Sequence, residues 1–181
     1  MISKKLAVLR FLTNHLEGTN PDWDPDCPFD LRDSVYRGRT VFGDETKTPF
    51  IALLEAPRQI APNGGGDASL IQSEDWTVLI QGFGDEDEEH PSDPAYELLA
   101  WVQKRMARLT QQPTSGRTGG TYPNEFRMGD LKIEILYQIP VVRPGKDDVS
   151  NTAYFYMPIG IKIVTDLTNP FEVLPEPVVV R

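Results

Sequence analysis

Two long segments of alternating apolar residues near the C-terminal end constrain the fold more than any other feature of the sequence. In residues 131–139, and again in residues 155–163, an apolar side chain occupies every second position. Neighbouring side chains of a strand point to opposite faces, so each segment predicts a strand with one buried and one solvent-facing side. Pro158 lies in the second segment and has no amide hydrogen to donate, which favours an edge strand or a bulge there.

Three shorter strands are predicted earlier in the chain. Residues 74–81 alternate from Trp76 onward and carry apolar groups on both faces. A strand with two apolar faces is typical of the centre of a sheet, and we expect this one to lie there. Residues 39–42 and 49–56 are predicted as the two strands of a hairpin with a longer loop between them.

Two helices are predicted from apolar side chains that recur at steps of three and four. The first covers residues 2–16 and is ended by Gly18. The second begins at Asp93, a good N-cap, with Pro94 in the first helical position, where its missing amide hydrogen costs nothing. Trp101 lies at the border of the apolar stripe of this helix. It is a candidate contact residue, with core packing as the alternative.

The loop after the first helix, residues 19–34, combines prolines and aspartates with Trp23, Cys27 and Phe29. These apolar groups predict a loop that is held against the body of the domain. Cys27 is the only cysteine, so the chain forms no intramolecular disulfide and no cysteine-based zinc site, and a packed thiol is the simplest interpretation. A single cysteine also fits synthesis in a reducing cytoplasm.

This order of elements predicts an α+β fold with two layers: a mixed, mostly antiparallel sheet of about five strands and two main helices packed on it. A chain of 181 residues suits one such domain, which we assign to residues 1–168. Residues 169–181 are predicted to form an extended, proline-rich C-terminal tail. The candidate contacts in this tail, by strand addition to an adjacent subunit or partner, are Val178, Val179 and Val180.

The charge balance excludes one class of function. The chain has 27 acidic and 18 basic side chains, a formal net charge of -9, and therefore lacks the basic surface that binds nucleic acid by displacing counterions. DNA passing through an acidic lumen without specific binding remains compatible with this charge. The sequence also has no run of 18 apolar residues and no apolar leader, so we expect neither a membrane span nor a signal peptide.

A run of five acidic residues precedes the second helix, and its members are Asp85, Glu86, Asp87, Glu88 and Glu89. Alternate members of the run resemble the first three ligands of a calcium loop. The motif fails because His90 replaces the required glycine and Tyr96 replaces the final glutamate. A looser divalent-cation site stays as an alternative. We also hypothesise that these five residues form an acidic loop at a channel or rim.

The sequence contains no constellation that indicates catalysis. Its two histidines, His15 and His90, have no nucleophile close to them in a catalytic spacing, and neither a phosphate-binding glycine loop nor a nucleophile elbow is present. We therefore predict no enzymatic activity, no catalytic residue, no metal and no cofactor. An enzyme remains the third hypothesis, to be revived by an activity that depends on Asp85, Asp87 or His90.

One stretch resembles a known family. Residues 76–83, Trp-Thr-Val-Leu-Ile-Gln-Gly-Phe, precede the acidic run, and residues 90–100, His-Pro-Ser-Asp-Pro-Ala-Tyr-Glu-Leu-Leu-Ala, follow it. This pattern is similar to the tail terminator (tail completion) proteins of tailed bacteriophages. In that family a core strand ends in Gly-aromatic, and an acidic loop leads to a Pro-Ser/Thr-Asp-Pro-Ala helix start. The resemblance covers about 35 residues and brings no catalytic residues with it.

The resemblance implies a structural virion protein of the phage tail or neck, made in the host cytoplasm. Such a subunit forms a hexameric ring at the head-proximal end of the tail tube, ends its polymerisation and joins the tail to the head connector. The implied partners are further copies of the chain, the tail tube protein and the neck or head connector protein, with the tail sheath as a further candidate. The alternatives are a head–tail adaptor or stopper protein, and a monomeric, non-catalytic acidic adaptor domain.

Overall fold

The structure is a computed structural model that describes residues 2–43, 45–56, 70–111, 125–128, 131–145, 151–169 and 171–172. In the N-terminal half the elements are β1 (Ile2–Ser3), α1 (Lys4–Glu17), β2 (Val35–Arg37), β3 (Phe50–Glu55) and β4 (Ile71–Phe83). In the C-terminal half they are α2 (Asp93–Gln111), β5 (Glu125–Met128), β6 (Leu131–Tyr137), β7 (Val141–Arg143), β8 (Tyr154–Asp166) and β9 (Phe171–Glu172).

The fold is α+β, as predicted. A mixed sheet has the strand order β2-β3-β4-β8-β6-β5, and β7 pairs with β8 beside β6. Only β2 and β3 pair in parallel; the other described pairs of this sheet are antiparallel. The predicted central strand is confirmed, because β4 has β3 on one side and β8 on the other. The two alternating segments form strands, as predicted, and they pair with each other in the β6–β8 ladder.

The first helix has a hydrogen bond at each end that satisfies a backbone group of its terminal turn. The Ser3 hydroxyl accepts a hydrogen bond from the Leu6 N–H at 3.4 Å, which is an N-cap. At the other end, the Gly18 N–H donates to the Asn14 carbonyl oxygen at 3.3 Å. Gly18 therefore ends the first helix as the sequence predicted.

The predicted hairpin of residues 39–42 and 49–56 is wrong. Residues 39–42 form no strand, and β3 pairs instead with β2, in parallel, from Val35 opposite Ile51. Gly38 follows β2 with a φ of 65°, a left-handed conformation that leaves the strand region. The apolar residue in this segment, Phe42, packs its ring 4.4 Å from that of Phe50, so it is part of a covering loop.

Pro158 is not in an edge strand or at a bulge, because β8 lies inside the sheet and its register with β4 is continuous. The explanation is a change of partner on the other side of β8. The last pair of β6 is Tyr137 with Ile159, and the first pair of β7 is Val141 with Tyr156. The Gln138 N–H donates to the Pro158 carbonyl oxygen at 3.2 Å, so the proline nitrogen also points to this side, where no ladder partner needs its hydrogen.

The main core lies between the helices and one face of the sheet, which gives the two-layer packing. The buried helix residues include Ala7, Val8, Leu12, Leu16, Leu98, Val102 and Met106. The sheet contributes Ile51, Leu53, Trp76, Val78, Ile80, Phe155, Met157, Ile159, Ile161 and Ile163. The alternation of residues 155–163 therefore marks the buried face correctly. The predicted anchoring of the 19–34 loop is also confirmed, since Cys27, Phe29 and Leu31 are buried in this core.

The two termini of the described chain meet. Within the segment predicted as a tail, Phe171–Glu172 pair antiparallel with Ile2–Ser3, so that Ile2 lies opposite Glu172. The division of the chain at residue 168 stays a prediction. The candidate contacts Val178, Val179 and Val180 lie outside the described residues.

Candidate assembly surfaces

The residues that carry the family resemblance form one continuous strand–turn–helix unit. β4 ends at Phe83, the acidic run follows in an irregular turn, and α2 begins at Asp93. Gly84 joins these parts tightly: its N–H donates to the Ala153 carbonyl oxygen at 2.9 Å, and a Cβ placed on it would lie 2.8 Å from the Ala95 nitrogen. A glycine is therefore required where the end of the strand meets the first turn of the helix.

The acidic turn, residues 85–89, is an ordered structure with carboxylates at the surface. The Asp87 carboxylate accepts hydrogen bonds from the N–H groups of His90 at 2.8 Å and Glu89 at 2.9 Å. Both hydrogen bonds hold the pKa of Asp87 below its usual value, and the bond from His90 has the larger effect. The other four carboxylate residues of the turn are exposed. Asp87 thus fixes the turn while its neighbours face solvent.

A surface cavity of about 290 Å³ lies beside the acidic turn. It is lined by four of the acidic residues, together with Pro91, Pro144, Gly145, Asn151, Thr152 and Ala153. This lining holds no histidine, cysteine or lysine that would act as a base or a nucleophile. Within the described ranges, no group of three or more His, Cys, Asp and Glu side chains is arranged to hold a metal ion. The alternative of a divalent-cation site gains no support here.

A basic–aromatic patch, which we define as Trp23, Trp101, Lys104, Arg105 and Arg108, lies near the other end of α2. The two indole rings meet edge to face, with centroids 6.2 Å apart. Lys104 Nζ lies 4.2 Å from the Trp101 ring, while Arg105 and Arg108 lie 4.8 and 5.6 Å from the Trp23 ring. Three cations therefore surround two aromatic rings at cation–π distances.

One acidic side chain, Asp24, belongs to this neighbourhood. Lys104 Nζ lies 2.6 Å from its carboxylate, and this hydrogen bond holds the pKa of Asp24 below its usual value. Arg105 is tied inward, since its Nε donates to the His15 carbonyl oxygen at 2.8 Å. Burial lowers the pKa of Arg105, and the positive charge of Arg108 lowers it further. The patch carries three positive charges against one negative charge.

The face of the sheet opposite the helices begins with an aromatic cluster: Tyr36, Phe42, Phe50, Phe83, Tyr154 and Tyr156. The Phe50 and Phe83 rings stack with centroids 4.5 Å apart, and the Tyr154 ring lies 5.7 Å from that of Phe83. The Arg39 guanidinium covers the cluster 4.9 Å from the Phe42 ring. Phe83, the aromatic residue of the family-like pattern, is therefore a packing residue of this second, smaller core.

Beyond the cluster, this second face presents apolar side chains to solvent. We call Leu136 and Val141, together with Ile139 in the connection between β6 and β7, the open apolar face; they are 50%, 45% and 87% exposed. Leu136 is paired with Gly160 and Val141 with Tyr156, which places both on the face away from the helices. We expected this side of the strand pair to be wet, and it is, but apolar Leu136 and Val141 are exposed there as well as the charged Lys162. Such surface is typical of a protein contact.

The remaining candidate residues show no catalytic arrangement. Cys27 is 3% exposed, its thiol donates to the Phe29 carbonyl oxygen at 3.4 Å, and burial raises its pKa. His15 is enclosed between the two helices. Burial is the main cause that lowers its pKa to about 4, and the positive charge of Arg105 acts in the same direction. His90 is exposed beside the acidic turn. The Cys27 thiol bonds to Phe29 and the His15 imidazole to the Arg105 carbonyl oxygen, so these two groups do not form a nucleophile–base pair with each other.

The structure changes the interpretation of Trp101. It was predicted as a contact residue or a core residue, and it is partly buried at the edge of the main core while forming half of an indole pair. Trp23 and the three cations were missed as a group. The late Lys and Arg residues of α2 signal only favourable helix-end charges, and the 80 or so residues between Trp23 and Lys104 hide their contact.

Comparisons with known proteins do not identify the chain. No protein-family model matches it, and no curated protein matches it either. Neither described helix is long and apolar enough to cross a membrane. The likeness to tail terminators therefore rests on residues 76–83 and 90–100 and on the unit that they form.

Proposed function

We propose that this protein is a tail terminator: a structural virion subunit that forms a hexameric ring on the head-proximal end of a phage tail tube. The ring ends polymerisation of the tube and joins the tail to the head connector. The observation that carries the proposal is the strand–turn–helix unit, in which Gly84 packs on the helix start at Ala95 and places the acidic turn at the surface.

A ring requires each subunit to offer two different surfaces that fit each other around a closed circle. In addition to the acidic turn, the subunit has two candidate contact surfaces. The open apolar face exposes Ile139 and its neighbours to solvent, and the basic–aromatic patch lies on the helix layer, on the other side of the sheet. In the proposed ring, the acidic turn lies at the rim or the lumen, where its carboxylates keep passing DNA from adhering.

The proposed partners are other copies of the chain, the tail tube protein and the neck or head connector protein, with the tail sheath as a further candidate. The proposed location is the tail or neck of the virion. None of these contacts involves a bond made or broken, so the protein acts through shape and charge alone.

Electron microscopy of the purified protein, alone and mixed with tail tubes, tests the proposal. We expect closed rings that sit on one end of each tube and stop its growth. Rings that bind heads but not tubes would instead make the protein a head–tail adaptor or stopper. Monomers at every concentration, with no contact to tubes, would contradict the proposal and leave an acidic adaptor domain.

A further inference from the structure

The basic–aromatic patch carries more positive charge than its surroundings neutralise. Asp24 pairs with Lys104 at 2.6 Å, but no carboxylate of the described chain lies within 4 Å of the guanidinium nitrogens of Arg105 or Arg108. This local excess occurs in a chain whose net charge is -9. Two neighbouring guanidinium groups repel each other unless a negative group comes close.

The patch is also preorganised to bind carboxylates. Lys104 and the two arginines are held 4.2 to 5.6 Å from the indole rings, so part of their rotational freedom is already lost. Arginine presents parallel N–H donors that match a carboxylate in a bidentate pair. The exposed positions of Lys104 and Arg108 leave their charged groups accessible to an approaching chain.

The chain itself supplies a matching anionic segment. The acidic turn has five consecutive carboxylates, and four of these residues are exposed. It lies directly before α2, whereas the patch lies eight to fifteen residues into the same helix. A helix rises 1.5 Å per residue, so the turn and the patch of one copy are separated by roughly 12 to 22 Å of rigid helix. The turn therefore meets a patch only on another copy.

We propose that the acidic turn of one subunit binds the basic–aromatic patch of the adjacent subunit. The inference rests on the proposed function, since it names the contact by which the ring closes. It also narrows the position of the turn to the rim at the boundary between two subunits. Each copy uses its turn toward one neighbour and its patch toward the other, which is a head-to-tail contact that closes into a ring. Phosphates of DNA are disfavoured as occupants because the chain is strongly negative.

Two charge-reversed proteins test this contact. The patch variant is Lys104→Glu with Arg108→Glu, and the turn variant is Glu86→Lys, Glu88→Lys and Glu89→Lys, which leaves Asp87 to hold the turn. In each variant alone, like charges face each other across the contact. We expect the concentration for half-assembly, measured by sedimentation velocity, to rise at least about tenfold. The control, Lys47→Glu with Arg10→Glu, has the charge change of the patch variant at exposed sites outside the turn, the patch and the open apolar face, and should assemble as the wild type does.

An equimolar mixture of the two variants gives the decisive result. Alternating copies then restore opposite charges at every boundary, so we expect assembly to return to within about threefold of the wild type, which also shows that both variants are folded. Variants that assemble like the wild type, or a mixture that assembles no better than its components, would overturn the inference alone. A wild type that never assembles would overturn the proposed ring and the contact together.

Discussion

His15 and Arg105 bind each other's backbone. The Arg105 Nε donates a hydrogen bond to the His15 carbonyl oxygen, and His15 Nε2 lies 2.8 Å from the Arg105 carbonyl oxygen. A carbonyl oxygen only accepts, so the neutral imidazole carries its hydrogen on Nε2. The pair joins α1 to α2, and it holds Arg105 in the position from which its guanidinium covers Trp23.

The enclosure of His15 predicts that acid weakens the fold. The pKa of His15 is lowered from 6.5 to about 4 in the folded state. Between these pH values, the imidazole is therefore protonated in the unfolded chain and neutral in the folded chain. The free energy of unfolding is therefore expected to fall by up to about 3 kcal/mol as the pH drops from 6.5 to 4. Above pH 6.5 this residue adds no pH dependence. Urea unfolding at several pH values measures the effect.

The control for this prediction is His15→Gln, which keeps a hydrogen-bond donor but has no group that titrates. Its stability curve should be flatter than that of the wild type between pH 4 and 6.5. Parallel curves for the two proteins would show that His15 does not carry the effect.

Gly84→Ala is expected to destabilise the protein by about 1–3 kcal/mol, because the new Cβ would overlap the backbone of Pro94 and Ala95. The matched control is Gly160→Ala, whose Cβ would have its nearest neighbour, Leu136 Cβ, at 3.5 Å, an ordinary contact. Thermal unfolding of both variants makes the comparison. Equal melting temperatures for the two would contradict the tight strand–helix junction.

Trp76→Ala is expected to cost about 3–5 kcal/mol of the free energy of unfolding. The indole is 2% exposed, and its Nε1 donates to the Glu55 carboxylate at 3.2 Å, so the substitution leaves a large cavity in the main core. Leu136→Ala, at a half-exposed site, should cost less than about 1 kcal/mol. Denaturant titration of both proteins decides; a cost below about 1.5 kcal/mol for the tryptophan would refute the described core.

Ile139→Asp is expected to leave the free energy of unfolding within about 0.5 kcal/mol of the wild type, since the side chain is 87% exposed. If the open apolar face is buried in the assembled particle, the same change weakens assembly or tube binding at least about tenfold. Val41→Asp, at a site 79% exposed away from β6 and β7, serves as the control. Unchanged assembly of the Ile139 variant would remove this face from the list of contacts.

Residues whose role follows from their near neighbours in sequence could be predicted. The alternation of residues 155–163 shows the buried face of β8 because side-chain direction in a strand has a period of two. The start of α2 at Asp93 and Pro94 was predicted to within a residue, since a cap depends on groups one turn away.

Features that depend on distant partners could not be predicted. Nothing near Val35 indicates that it pairs in parallel with Ile51, and the placement of Pro158 depends on where β6 gives way to β7. The basic–aromatic patch likewise joins a loop residue, Trp23, to side chains of α2. Among the candidate surfaces, the acidic turn could therefore be recognised in the sequence, whereas the basic–aromatic patch that we propose as its binding site could not.

The pairing of Ile2–Ser3 with Phe171–Glu172 has a consequence for biosynthesis. During translation, the residues that pair with β1 are added about 170 positions after β1 itself. Ser3, the N-cap of α1, belongs to β1. A chain that ends before residue 171 therefore lacks the strand that pairs with Ile2–Ser3, and the β1–β9 ladder forms only after residue 172 has been translated.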